Sequence, residues 1–202
     1  MTVEGYLSAY FLALWWIIIV GGYVIAFATA IVGKEIADGT IEILLAQPIS
    51  RTKIILGKFL ACLFYLAILT FVTIGSTGLL ALFYDVEIKT EGLLAVGFLG
   101  FLFFAFIAAF SLFLSVILKE RGRVVILSVA FLIASHLLNA LADLSETLKD
   151  FRFLSIFKYY NSMEALKTGN IPWSDALLFL GLSLLCLIAS ILIFRREDIA
   201  IV

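Results

Sequence analysis

Side chains that could do chemistry are few in this sequence, and most of them stand inside apolar stretches. His136 is the one histidine, and Asn139 follows it one helical turn later. The two cysteines, Cys62 and Cys186, form no CxxC pair, and in such stretches cysteine usually acts as a small buried hydrophobe. A hydrolase would need a base beside its nucleophile, or His and carboxylate ligands for a metal. We therefore expect no catalytic residue and no metal site in this chain.

His136 and Asn139 fit two interpretations. In the first, they are a polar pair that forms hydrogen bonds between membrane helices. In the second, they are a polar point on the path of a transported substrate. The sequence leaves both interpretations open.

The glycine-lysine pairs do not form a nucleotide site. A P-loop requires the pattern GxxxxGK[ST], in which backbone amides surround the phosphates. Gly33-Lys34 and Gly57-Lys58 lack both this spacing and a following Ser or Thr, and GxGxxG is absent too. ATP used by this protein must therefore bind to another chain, and we expect no cofactor in this one.

The composition is that of an integral membrane protein. Of the 202 residues, 64% are hydrophobic and 14% are charged, whereas soluble domains have roughly half and a quarter. The formal net charge is −1, so the chain offers no basic surface for nucleic acid. We expect a multi-pass protein of the cell membrane that does not bind nucleic acid.

Charged residues are clustered, and the clusters leave five uncharged stretches: 5–33, 59–84, 92–118, 124–142 and 176–194. A helix that crosses a bilayer needs about 20 apolar residues, so each stretch can span. The sequence predicts an all-α polytopic membrane protein with one transmembrane domain over residues 1–202. Ion-coupled carriers normally need ionisable residues within their spans, which disfavours a secondary transporter.

The basic residues give the expected orientation, because Lys and Arg resist translocation. Nine of them lie on one side, in residues 34–58, 119–123 and the C-terminal tail, against five on the other side. We therefore place the N-terminus outside and the C-terminus in the cytosol. With this orientation, residues 34–58 are predicted to form a cytosolic loop, and residues 143–175 an external segment.

The cytosolic loop contains one short predicted helix between two breaks. Thr40 can cap this helix and Pro48 ends it, while one face carries Ile41, Leu44 and Leu45. Ser50 can then cap the next helix, which begins at Arg51 and continues into the second span. The short helix is about 12 Å long by the helical rise, which is too short for stability in water. It must therefore dock on another surface.

Two surfaces could receive the short helix, namely the lipid headgroups and a protein in the cytosol. Interfacial helices favour a basic polar face against anionic lipid. Glu35, Asp38 and Glu42 make this segment acidic instead. A protein partner is the better interpretation.

The loop resembles the permease subunits of ATP-binding-cassette (ABC) transporters of the type-2 class. The resemblance is carried by Glu35, Asp38-Gly39-Thr40, Glu42, Leu44-Leu45, Gln47-Pro48, Ser50-Arg51 and Gly57-Lys58. A second part resembles the same family, in Tyr159-Tyr160-Asn161, residues 165–169, Ile171-Pro172-Trp173 and residues 194–199. Together these parts extend from about residue 9 to the end. Such permeases usually have six spans and a cytosolic N-terminus, so the first span is expected either to be missing here or to be supplied by another chain.

The resemblance implies that residues 40–47 form a coupling helix, which sits in a groove of a separate ATPase subunit. Its interface with the ATPase would comprise Glu35, Gly39, Thr40, Ile41, Glu42, Leu44, Leu45, Gln47, Pro48 and Arg51. The apolar residues would be buried, the glutamates would pair with basic residues, and Arg51 would lie on the far rim.

The resemblance also implies an export mechanism. Two ATPase subunits, which hold ATP and Mg²⁺, would drive alternating access in this chain and a second permease subunit, as a homo- or heterodimer. The transport path or its gate would include His136, Asn139, Tyr159 and Tyr160. The alternative is a membrane scaffold or assembly subunit that transports nothing and only recruits a cytosolic protein.

Residues 143–175 predict an amphipathic helix followed by a short helix. Apolar residues recur at Leu144, Leu148, Phe151 and Leu154 among charged ones. Ser162 can cap a helix over 163–168 that ends at Gly169. The segment is either an external gate over the path, as the resemblance implies, or an ordinary interfacial anchor.

The third stretch is rich in phenylalanine, at positions 101, 103, 104, 106, 110 and 113. These rings could line a path for an apolar or amphipathic cargo such as a lipid or a hydrophobic drug-like molecule. They could also simply face the lipid.

Overall fold

The computed structural model describes residues 14–37, 50–84, 86, 88–118 and 120–196, and only the backbone of residues 31–37. All the regular elements within these ranges are helical. In chain order they are α1 (Trp16–Ala37), α2 (Arg51–Phe83), α3 (Thr90–Leu118), α4 (Arg121–Ala142), α5 (Glu146–Lys149), two 3₁₀ turns (Arg152–Leu154 and Ile156–Lys158), α6 (Ser162–Thr168) and α7 (Trp173–Arg196).

Helices α2, α3, α4 and α7 are long and apolar enough to cross a membrane. Helix α1 has a shorter described apolar part, Trp16–Ala30. The prediction of an all-α polytopic membrane protein is therefore confirmed. The first part of the predicted stretch 5–33 lies outside the described residues, and so does most of the loop between α1 and α2.

The start of α2 follows the sequence prediction. Ser50 is its N-cap, and the Ser50 hydroxyl accepts a hydrogen bond from the Lys53 backbone N–H at 3.4 Å. This bond satisfies one of the amides that lack a partner in a first helical turn. Arg51 at the start of α2, Arg121 at the start of α4 and Arg196 at the end of α7 mark what we call the basic end of the bundle.

Helix α3 is the centre of the bundle and contacts α1, α2, α4, α6 and α7. Phe103 and Phe104 are fully buried, and Phe106 is 5% exposed. The other three of the six phenylalanines singled out in the sequence are half-buried and pack against the same core. The two predictions, that these rings line a path or face lipid, are therefore both wrong for Phe103, Phe104 and Phe106. They fill the space between α3 and its neighbours.

Two glycines of α3 allow close approach of other elements. The Trp16 ring of α1 lies where a Gly100 side chain would project. Gly92, in the first turn of α3, lies against the backbone of Leu166 in α6. Because neither glycine carries a Cβ, α1 and α6 approach α3 more closely than any other residue would allow.

The segment between α4 and α7 differs from its prediction. Instead of one amphipathic helix it forms α5 and two 3₁₀ turns, and Leu144 is 84% exposed. The break has a long-range cause: the Ser155 hydroxyl donates to the Ser135 carbonyl of α4 at 2.7 Å, and the Ser135 hydroxyl accepts from the Ile156 N–H at 3.4 Å. These bonds hold the chain against α4 where a helix would continue.

The short helix after this segment is confirmed, with its cap shifted by one residue. Helix α6 begins at Ser162, and its N-cap is Asn161, whose side-chain oxygen accepts from the Glu164 N–H at 3.2 Å. Gly169 follows the helix with φ 71°, the left-handed conformation that glycine adopts without steric cost.

Candidate functional site

The structure places the predicted path residues at the end of the bundle opposite the basic end. His136 is exposed on α4, and its imidazole meets the Phe157 ring edge-on at 5.0 Å. Asn139 accepts a hydrogen bond from Arg152 Nε at 3.0 Å. Asn139 is thus engaged by the segment after α4, and His136 by an aromatic ring.

An apolar groove of about 270 Å³ lies between α1 and α4. Ile18, Ile133 and Leu137 on its rim are each more than half exposed, so the groove opens toward the side of the bundle. His136 is the titratable residue among its described lining residues, which are Leu14, Ile17, Ile18, Gly22, Ile25, Val129, Leu132, Ile133, His136, Leu137 and Phe157. The walls of this groove are apolar, so it can accommodate an apolar group.

Arg152 attaches the wall of this groove to α4. Its guanidinium donates to Asn139 through Nε and pairs with Asp143 through Nη1 at 2.9 Å. Together with the Ser155 bond to Ser135, this fixes the 3₁₀ turn that carries Phe157. Sequence reasoning missed Arg152 and the two serines, because nothing local marks contacts between residues so far apart in the chain.

The adjacent tyrosines have different environments. Tyr160 is 6% exposed, and its ring lies 4.9 Å from that of Phe103 in the core. The Tyr159 ring lies nearer the surface, where its hydroxyl donates to the Phe153 carbonyl at 3.2 Å. Tyr160 is therefore a core residue in this conformation, and Tyr159 stabilises the turn before α6.

The predicted coupling residues are only partly described. Gly39, Thr40, Ile41, Glu42, Leu44, Leu45, Gln47 and Pro48 lie outside the described residues. The backbone of Glu35 belongs to α1. Arg51 is described, and its Nη1 donates to the Phe194 carbonyl of α7 at 3.2 Å. Its guanidinium thus contacts another helix of this same chain.

These features define a polytopic helical membrane protein whose charged residues lie at or near the helix ends. The family described as "ABC-2 family transporter protein" matches residues 9–199, which include all the described helices. The chain belongs to this family, and it is a membrane permease component of an ABC transporter that partners with an ATP-binding subunit. The comparisons with curated proteins and with solved structures found no match.

Proposed function

We propose that the chain is the permease subunit of an ABC exporter, which moves its substrate by alternating access while a separate subunit hydrolyses ATP. The observation that carries this proposal is the family match over residues 9–199. The charge distribution supports it, because within the described spans Asp, Glu, Lys and Arg lie within about two turns of a helix end. Such spans lack the intramembrane charges that couple transport to ions.

The coupling helix in this proposal is residues 40–47, between α1 and α2. Its apolar face, Ile41, Leu44 and Leu45, would be buried in a groove of the ATPase, with Glu35 and Glu42 facing basic residues there. Two ATPase subunits would act on this chain and a second permease subunit. The well-capped start of α2 supports the proposal, because a rigid helix directly after the loop can transmit its movement.

The proposed cargo is apolar or amphipathic, and its path includes the groove between α1 and α4. The groove walls are apolar, so a hydrated ion would lose its water there with little replacement. His136 offers one hydrogen-bonding group at the groove wall. This chemistry suits a lipid-like molecule with a polar group near one end.

The transport function is tested by ATP turnover. We expect the ATPase subunit, once assembled with this chain in proteoliposomes, to hydrolyse ATP at a rate clearly different from that of the ATPase subunit alone. A lipophilic fluorescent dye in the membrane should then redistribute only when ATP is present. If ATP hydrolysis and dye distribution are both indifferent to this chain, the scaffold function is the correct one.

The groove is tested by filling it. Gly22 lines the groove, and a Cβ built on it meets nothing within 4 Å. We therefore expect Gly22→Leu to fold normally and to reduce ATP-driven dye movement about tenfold, because a leucine side chain occupies much of a groove this size. Gly75→Leu is the matched control, since Gly75 also faces open space but lies on α2 outside the groove. Dye movement at the wild-type rate in Gly22→Leu would contradict the proposed path.

A further inference from the structure

Arg51 joins two helices at the basic end of the bundle. It is the first residue of α2, two residues beyond the end of the undescribed part of the loop. Its Nη1 donates to the carbonyl oxygen of Phe194, 143 residues away in α7. The side chain is half-buried. The contact therefore links the exit of the loop to the end of the last described span.

The acceptor of this bond is a backbone carbonyl near the basic end of α7. Phe194 lies in the last described turn of α7, which ends at Arg196. A cation is favoured at a helix C-terminus, both by the hydrogen bond and by the helix dipole. Arg51 thus binds the last described turn of α7 from a neighbouring helix. Arg195 and Arg196 in the same turn are exposed.

Apolar side chains next to the hydrogen bond between Arg51 and Phe194 also pack together. Phe194 is 2% exposed, and Ile55, one turn after Arg51, is fully buried. Both belong to the same hydrophobic cluster, and α2 and α7 are in contact. Side chains packed this closely have few alternative arrangements. The bond and the packing together hold the basic ends of the two helices side by side.

We propose that Arg51 is a positioning residue that locks the basic ends of α2 and α7 together, so that movement of the loop is delivered to both helices as one unit. The inference rests on the proposed coupling role of that loop. Helix α7 in turn contacts the central helix α3, because the ring of its Phe179 lies 5.5 Å from the ring of Phe103.

The lock is tested first without the ATPase. Spin labels at Lys53 and Arg196, both exposed, report the distance between the two basic ends in lipid nanodiscs. The buried Cys62 and Cys186 are replaced by alanine to avoid labelling. We expect one narrow distance distribution, a clearly broader one in Arg51→Leu, and recovery of the narrow one in Arg51→Lys. An unchanged distribution in Arg51→Leu would overturn the lock.

Arg195→Leu is the matched control for this measurement. Arg195 is exposed in the last turn of α7, and its removal takes one positive charge from the same end. We expect its distance distribution to stay narrow. If Arg195→Leu broadens the distribution as much as Arg51→Leu does, general charge at this end holds the helices and the specific role of Arg51 is wrong.

The functional test uses the chain assembled with its ATPase in proteoliposomes. In complexes that contain the ATPase subunit, we expect Arg51→Leu to lower ATP-driven dye movement per ATP hydrolysed about tenfold, with roughly half or more restored in Arg51→Lys. Loss of the ATPase from Arg51→Leu would instead make Arg51 a docking charge and contradict the proposal. If the wild-type complex moves no dye, the transport function fails, and the distance measurement still decides whether Arg51 locks the helices.

Discussion

Replacing Gly92 with alanine is expected to displace α6 from the start of α3. An alanine Cβ would collide with the Leu166 carbonyl oxygen and lie 2.9 Å from its carbonyl carbon. These are backbone atoms, so no side-chain rotation can relieve the clash. Overpacking of this kind costs about 1–3 kcal/mol. The buried Ala165 and Leu166 should therefore become accessible, and the change is measured by maleimide labelling of an Ala165→Cys variant.

Gly122→Ala is the control for this prediction. Gly122 lies in the first turn of α4, and a Cβ there meets nothing within 4 Å. We expect the Ala165→Cys variant to label as slowly in this background as it does with no further change. Equal labelling rates in the Gly92→Ala and Gly122→Ala backgrounds would show that α6 accommodates the extra methyl group, and that its close docking is not required.

The second large effect is expected from the loop. Leu45→Asp should detach the ATPase subunit, because the new carboxylate would be buried in the groove of the ATPase that receives the loop, at a cost of several kcal/mol. About 3 kcal/mol corresponds to a binding constant lowered roughly a hundredfold. Leu45 lies outside the described residues, so this prediction rests on the sequence pattern around Leu44 and Leu45. The measurement is the amount of ATPase that co-purifies with membrane-inserted chain.

Lys53→Ala provides the comparison for the loop. Lys53 is exposed in the first turn of α2, and its backbone N–H is the group that takes part in the Ser50 cap. We expect this variant to retain the ATPase at the wild-type level. Co-purification of Leu45→Asp at the same level as Lys53→Ala would rule out an apolar anchor at this position.

The sequence predicts the helices well because charge is costly in hydrocarbon. The clusters around Arg51, Arg121 and Arg195 mark helix ends, and all of them lie at or near a helix terminus in the structure. The cap at Ser50 was predictable because it uses only local geometry, a hydroxyl that reaches the amide three residues ahead. The shift of the α6 cap from Ser162 to Asn161 is of the same local kind, since both residues can cap.

The surroundings of each helix could not be predicted in the same way. In a soluble protein an apolar side marks the core, but in a bilayer lipid-facing and core-facing positions are both apolar. Phe103 and Phe71 therefore look alike in the sequence, although Phe103 is fully buried and Phe71 is 79% exposed. Only packing decides between them.

The candidate site depends even more on distant contacts. The spacing of His136 and Asn139 does not indicate that Asn139 accepts a hydrogen bond from Arg152 or that His136 contacts the Phe157 ring. The bond from Arg51 to Phe194 likewise joins residues from opposite parts of the chain. A single hydrogen bond between distant residues leaves no periodic pattern in the sequence. The sequence therefore indicates which residues could form the site, but not which residues they contact.

The central position of α3 has a consequence for biosynthesis. The Phe103 ring contacts Phe179 of α7, and it also contacts Phe157 and Tyr160 of the segment that precedes α7. These partners are synthesised well after α3, so a nascent chain that has inserted α1 to α4 still exposes the side of α3 that α7 will cover. The core around α3 can therefore form only after α7 has left the ribosome. An interrupted chain would leave the phenylalanine-rich side of α3 exposed to membrane proteases.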